Sequence, residues 1–130
     1  MTPFAVGGPY QVELAYYYPN LNSPFYDGGG VATIGPSVEY PYAFYGYWSV
    51  NLKLRKMTIT FQVTFWCNCG VEFLGIMVIS LTSGANLPQP AYFISYTTAN
   101  PGTLTSTATT IALDWQCLSF NQGEEIVIGW

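Results

Sequence analysis

The chain has 130 residues, half of them hydrophobic, 18% aromatic and only 8% charged, with a formal net charge of −4 and no histidine. This length supports one domain with a core that needs no metal or disulfide. Without histidine the commonest general base, the Ser–His and Cys–His nucleophile pairs and the commonest metal ligand are gone.

Residues 1–9 read as an extended N-terminal arm. Tyr10 to Tyr17 reads as the first strand, with Tyr10, Val12, Leu14 and Tyr16 on one face. Pro19 to Gly30 reads as a long turn-rich loop ending in Gly28-Gly29-Gly30, and Val31 to Ile34 as a short strand. Val38 to Tyr47 is rich in Tyr and Pro and reads as strand only in part.

Trp48 to Leu54 alternates with its even members, Trp48, Val50, Leu52 and Leu54, facing inward. From Met57 to Phe65 the phase is odd: Met57, Ile59, Phe61, Val63 and Phe65 are apolar against Thr58, Thr60, Gln62 and Thr64. Period-two alternation of this kind marks a half-buried strand whose register cannot slip by one residue. No Gly, Pro or Asn separates the two runs. A β-bulge at Arg55-Lys56 is therefore predicted over a tight hairpin, whose turn favours residues that tolerate positive φ.

Asn68-Cys69-Gly70 supplies a turn. Glu72 to Leu81 is apolar on both faces, as in a central strand or one covered by a partner. Ser83 to Pro90 is loop, Tyr92 to Thr97 strand, and Asn100-Pro101-Gly102 turn. Leu104 to Leu118 begins Thr-rich and becomes an inward ladder of Ile111, Leu113, Trp115 and Cys117. Asn121-Gln122-Gly123 turns the chain into Glu125 to Trp130, where Ile126, Ile128 and Trp130 are apolar. No stretch shows helical periodicity. The expected fold is all-β: one antiparallel β-sandwich, jelly-roll-like or immunoglobulin-like, with about seven or eight strands and no substantial helix.

The only cations, Lys53, Arg55 and Lys56, fall together. They leave no basic field for nucleic acid and read as the solvated end of a strand. The longest apolar run, Phe73 to Leu81, is far below the ~20 residues of a membrane-spanning helix. The first residues lack the basic-then-apolar pattern of an export leader. No phosphate loop or dinucleotide fingerprint occurs. The carboxylates Glu13, Asp27, Glu39, Glu72, Asp114, Glu124 and Glu125 show no spacing that selects a glycosidase pair or a calcium loop. No catalytic residue, metal ligand or cofactor is therefore expected.

Cys67 and Cys117 both continue inward-facing sets. The first expectation is buried free thiols acting as small hydrophobes. A Cys67–Cys117 or Cys69–Cys117 bridge is the alternative, and it requires an oxidising setting.

Nine of the eleven tyrosines precede Trp48. Tyrosine joins large area and low rotamer entropy to a hydroxyl that tolerates wetting, which suits contact with partners. Tyr16, Tyr17, Tyr18, Tyr26, Tyr40, Tyr42, Tyr45 and Tyr47, with Trp130, are the candidates for a subunit interface or for stacking on sugar rings. The expected function is a non-enzymatic structural subunit of a large assembly whose partners are copies of itself and other subunits. A virion component (capsid, capsid-associated, spike or tail) is first, and an extracellular filament or surface-layer subunit second. The alternative is a carbohydrate-binding or host-attachment module that uses exposed tyrosines on a glycan.

Overall fold

The structure, a computed structural model, describes residues 11–35, 38–53, 55–82, 87 and 89–130. The expected N-terminal arm, Tyr10, Leu54 and most of the 83–90 loop lie outside these residues. In chain order the first strands are β1 (Gln11–Tyr17), β2 (Pro24–Thr33), β3 (Tyr40–Tyr42) and β4 (Trp48–Lys53). They are followed by β5 (Lys56–Phe61), β6 (Phe65–Trp66), β7 (Gly75–Ser80) and β8 (Tyr92–Tyr96). The last are β9 (Thr103–Ser106), β10 (Thr110–Asp114), β11 (Ser119–Phe120) and β12 (Glu125–Gly129). All pairings are antiparallel. Two five-stranded sheets, ordered β2-β1-β7-β10-β9 and β3-β4-β5-β12-β8, form a sandwich, and β6 pairs with β11 in a small third ladder.

The core lies between the sheets. Val12, Leu14, Ile76, Val78, Ile111 and Leu113 of one meet Val50, Leu52, Met57, Ile59, Ile126 and Ile128 of the other. Burying each such side chain is worth about 1.5–3 kcal/mol, so the alternation itself drives the two sheets together.

β7 is indeed central, between β1 and β10. Its even members join the main core, while Phe73 and Met77 pack on the outer face with Ala15, Tyr17 and Ala112. Phe73, Ala15, Tyr17 and Ala112 are buried on that second face, and Met77 and Ile79 are half-buried there. β12 is likewise paired on both sides, by β5 and β8.

Four expectations are corrected. The phase change after Lys53 is a tight hairpin, not a bulge: β4 and β5 pair from Trp48↔Phe61 to Lys53↔Lys56. A two-residue connection places even positions opposite odd ones, so the apparent flip is what the hairpin requires. Arg55 takes the positive φ, 57°, that the turn demands. Secondly, the Met57–Phe65 run is not one strand. It bends at Gln62 and Val63 and passes to β6, which leaves Val63 exposed while Phe61 and Phe65 stay buried.

Thirdly, much of the expected Pro19–Gly30 loop is strand. β2 pairs with β1 at Tyr16↔Phe25 and again at Leu14↔Gly30, so residues 26–29 swell out of the ladder. A Cβ on Gly28 would lie 2.0 Å from the Tyr42 carbonyl oxygen, and its φ is +64°. Glycine is needed there because the end of β3 sits directly on it. Fourthly, the described residues form twelve strands where seven or eight were expected, because bends and excursions divide the longer runs.

Candidate functional site

Between β3 and β4, Ala43–Gly46 forms a tight turn in which Phe44 (φ 45°) and Tyr45 (φ 57°) adopt left-handed backbone. Such conformations cost non-glycine residues roughly 1–2 kcal/mol each, so the surroundings must hold them. Three contacts do so. The Asp27 Oδ1 accepts the Tyr45 N–H at 3.1 Å, the Phe44 carbonyl accepts the Tyr47 N–H at 3.1 Å, and Ala43 bridges to Trp48. Asp27 is thus used to pin the turn.

The turn delivers Phe44 into the centre of an aromatic cluster. Its ring lies 4.2 Å from that of Tyr16 and stacks on Trp48 at 5.3 Å and 15°. Phe25, Tyr47 and Phe65 meet it edge-on at 6.2, 5.4 and 6.4 Å. Beside the cluster an open cavity of about 190 Å³ is walled by Tyr16, Tyr18, Phe25, Phe44, Phe65 and Trp66, with Cys67, Asn68 and Leu74 completing it. Trp66 at its border is 71% exposed.

The polar groups of this cavity are neutral. The Asn68 Nδ2 donates to the Tyr18 hydroxyl oxygen at 2.9 Å, which leaves the Tyr18 O–H able to donate elsewhere. Tyr16 is only 8% exposed, yet its hydroxyl keeps access to solvent, and no group among the described residues bonds it. Burial drives the Tyr16 phenol above its ordinary range, and the neighbouring Cys67 and Tyr18 push it in the same direction. The Cys67 thiol is pushed up to about 12, by burial first and by Asp114 second. At neutral pH both groups hold their protons.

One wall of the cavity is fixed covalently. Cys69 and Cys117 form a disulfide with Cα atoms 4.4 Å apart, and Cys67 is a buried free thiol. The expectation of three free thiols is thus corrected for Cys69 and Cys117. Cys117 leaves the inward ladder because Trp115 to Leu118 form a turn, closed by Leu118 N–H to the Trp115 carbonyl at 3.1 Å, with Cys117 at φ 64°. Cys67 N–H to Leu118 and Cys117 N–H to Asn68 extend the β6–β11 ladder up to the bridge.

Of the residues singled out in the sequence, Tyr17, Tyr40 and Trp130 are core side chains, so neither an interface nor open stacking is available to them. Tyr17 covers the outer face of its sheet beside Phe73 at 6.3 Å. Tyr40 donates its hydroxyl to the Gly30 carbonyl at 2.7 Å and thereby ties β3 to β2. Trp130 joins the core in phase with Ile126 and Ile128. Tyr26, Tyr42, Tyr45 and Tyr47 are exposed, and only Tyr16 and Tyr18 reach the cavity. Counting tyrosines alone missed Phe25, Phe44, Trp66 and Asn68. A readable signal existed for Trp66: it continues the polar, outward phase of Thr58, Thr60, Gln62 and Thr64, where a large indole is out of place.

Most carboxylates serve the fold. Glu39 accepts the N–H groups of Gly35 and Leu52, Asp114 those of Leu74 and Gln116, and Glu124 that of Asn121. Among the described residues no three His, Cys, Asp or Glu side chains are grouped to hold a metal, and no helix is long and apolar enough to cross a membrane. No protein-family model, curated protein or solved structure matches the chain.

Proposed function

We propose that this chain is a non-enzymatic structural subunit of a large protein assembly, with a virion component (capsid, capsid-associated, spike or tail) first and an extracellular filament or surface-layer subunit second. One observation carries the reading. Among the described residues fourteen large apolar side chains are exposed, against ten charged residues in the whole chain. Nine of them gather at two opposite edges of the sandwich. Tyr42, Tyr45 and Tyr47 lie at the β3 side, with Phe25, Tyr26 and Val31 on the neighbouring β2, while Tyr92, Ile94 and Tyr96 line β8.

β4, β5 and β12 separate β3 from β8, a span of roughly 19 Å at ~4.8 Å per strand. A binding module needs one apolar patch. Two patches on opposite edges suit a subunit that makes different contacts on each side, the arrangement that closes into rings or extends into filaments. β8 carries no charge to discourage association, although its ladder with β12 is irregular near Ile94.

The test is the molar mass of the native protein by light scattering, followed by imaging of any large species. Oligomers or particles are expected, and Ile94→Lys or Tyr42→Asp should dissolve them. A monomer at high concentration would sink the reading.

A further inference from the structure

We propose that the ring-walled cavity beside Trp66 is a binding site for a single neutral sugar ring, presented as the end of a glycan. This is independent of the assembly reading, because the cavity lies within one chain.

The chemistry of the wall selects the ligand class step by step. None of the residues that line the cavity carries a charge, so neither an anion nor a cation would find a counter-charge. A wholly apolar guest would cut the Tyr16 hydroxyl off from water and leave the Tyr18 O–H, whose oxygen already accepts from Asn68, without an acceptor. Of these, the Tyr16 hydroxyl is not sealed from solvent and has no hydrogen bond among the described residues, so it can bond a group that enters the cavity. The volume, about 190 Å³, is below the ~300 Å³ at which sites for drug-sized ligands begin.

The guest is therefore small, uncharged and hydroxyl-bearing, with faces suited to aromatic rings. A pyranose meets each condition. Its C–H faces are attracted to the negative faces of aromatic rings, of which Trp66 is the most open, and its hydroxyl edge meets Tyr16, Tyr18 and Asn68.

The full oxidised chain should be titrated with the methyl glycosides of glucose, galactose, mannose, fucose and N-acetylglucosamine, followed by tryptophan fluorescence and ligand-observed NMR. At least one is expected to bind with a Kd of the order of 1 mM, the strength of a single small ring. Trp66→Ala should weaken it about tenfold or more. Tyr16→Phe keeps the ring and should weaken binding roughly fivefold without lowering the thermal midpoint, because no internal hydrogen bond is lost. Absence of binding by all of these glycosides overturns the proposal. So does binding that both variants retain in full, or capture of indole or p-cresol at the cavity when no glycoside binds. None of these results alters the molar mass that tests the assembly reading.

Discussion

The β4–β5 hairpin and the segment from Phe25 to Tyr47 solve the same problem, covering one sandwich, by opposite means. In the hairpin, six consecutive pairs run in regular register and each inward side chain is fully buried in the core. In the other segment a ladder swells at residues 26–29 and two aromatic residues take left-handed backbone. Regular alternation satisfies backbone and core at once. Where the chain departs from it, conformational energy is held in place by packing, and a cavity results.

The largest expected effect comes from freeing one wall of the irregular region. Cys69 and Cys117 are 48 positions apart, and opening a loop of that size should cost about 4 kcal/mol, on the chain-entropy estimate. Urea denaturation with and without reductant measures it, and an unchanged midpoint would show that the bridge constrains nothing. Gly28→Ala comes next, at about 3 kcal/mol, since it adds left-handed strain to a clash with the Tyr42 carbonyl. Gly30→Ala has the same sign of φ but open space, and should lose only about 1 kcal/mol. Equal losses would mean that the turn does not rest on Gly28.

A pH titration separates the two regions further. The folded chain holds the Cys67 proton up to about 12, whereas the unfolded chain gives it up near 9.0. The raised thiol pKa therefore supports the fold fully below about pH 9 and progressively less as pH climbs towards 12. Cys67→Ala should flatten that decline in a thermal-midpoint series, and a decline that stays as steep would place its origin in other groups. The smallest effect is the most diagnostic. Tyr45→Gly relieves left-handed strain at an exposed ring and should hold or raise stability by up to about 1 kcal/mol. Thr58→Gly in the regular ladder should lower it by a similar amount.

The regular half was legible because alternation reports burial directly. Met57, Ile59 and Phe61 are inward as their period implies, as are Ile111, Leu113 and Trp115. The hairpin was misread because Arg55 is not a residue expected at positive φ, although the phase change itself carried the information. The cavity was hardly legible. Its wall joins Tyr16 and Tyr18, Phe25, Phe44, and Phe65 to Asn68 from four separate stretches. Only the long-range pairings bring these together, and local periodicity is blind to them. Cys117 escaped for a related reason: a turn at Gln116-Cys117 overrides the phase that precedes it.

The hairpin tip has one more effect. Lys53, Arg55 and Lys56 are the chain's entire complement of basic side chains, and the tight connection gathers them at one corner, with Lys53 directly across from Lys56. Of the seven carboxylates Glu39 comes back to this corner, where it accepts the Leu52 N–H at 2.7 Å. Positive charge is consequently gathered at one tip of the molecule and partly offset there by Glu39. Neighbouring copies would feel an orienting torque before they touch, and dissolved salt would weaken it over a distance of about 8–10 Å.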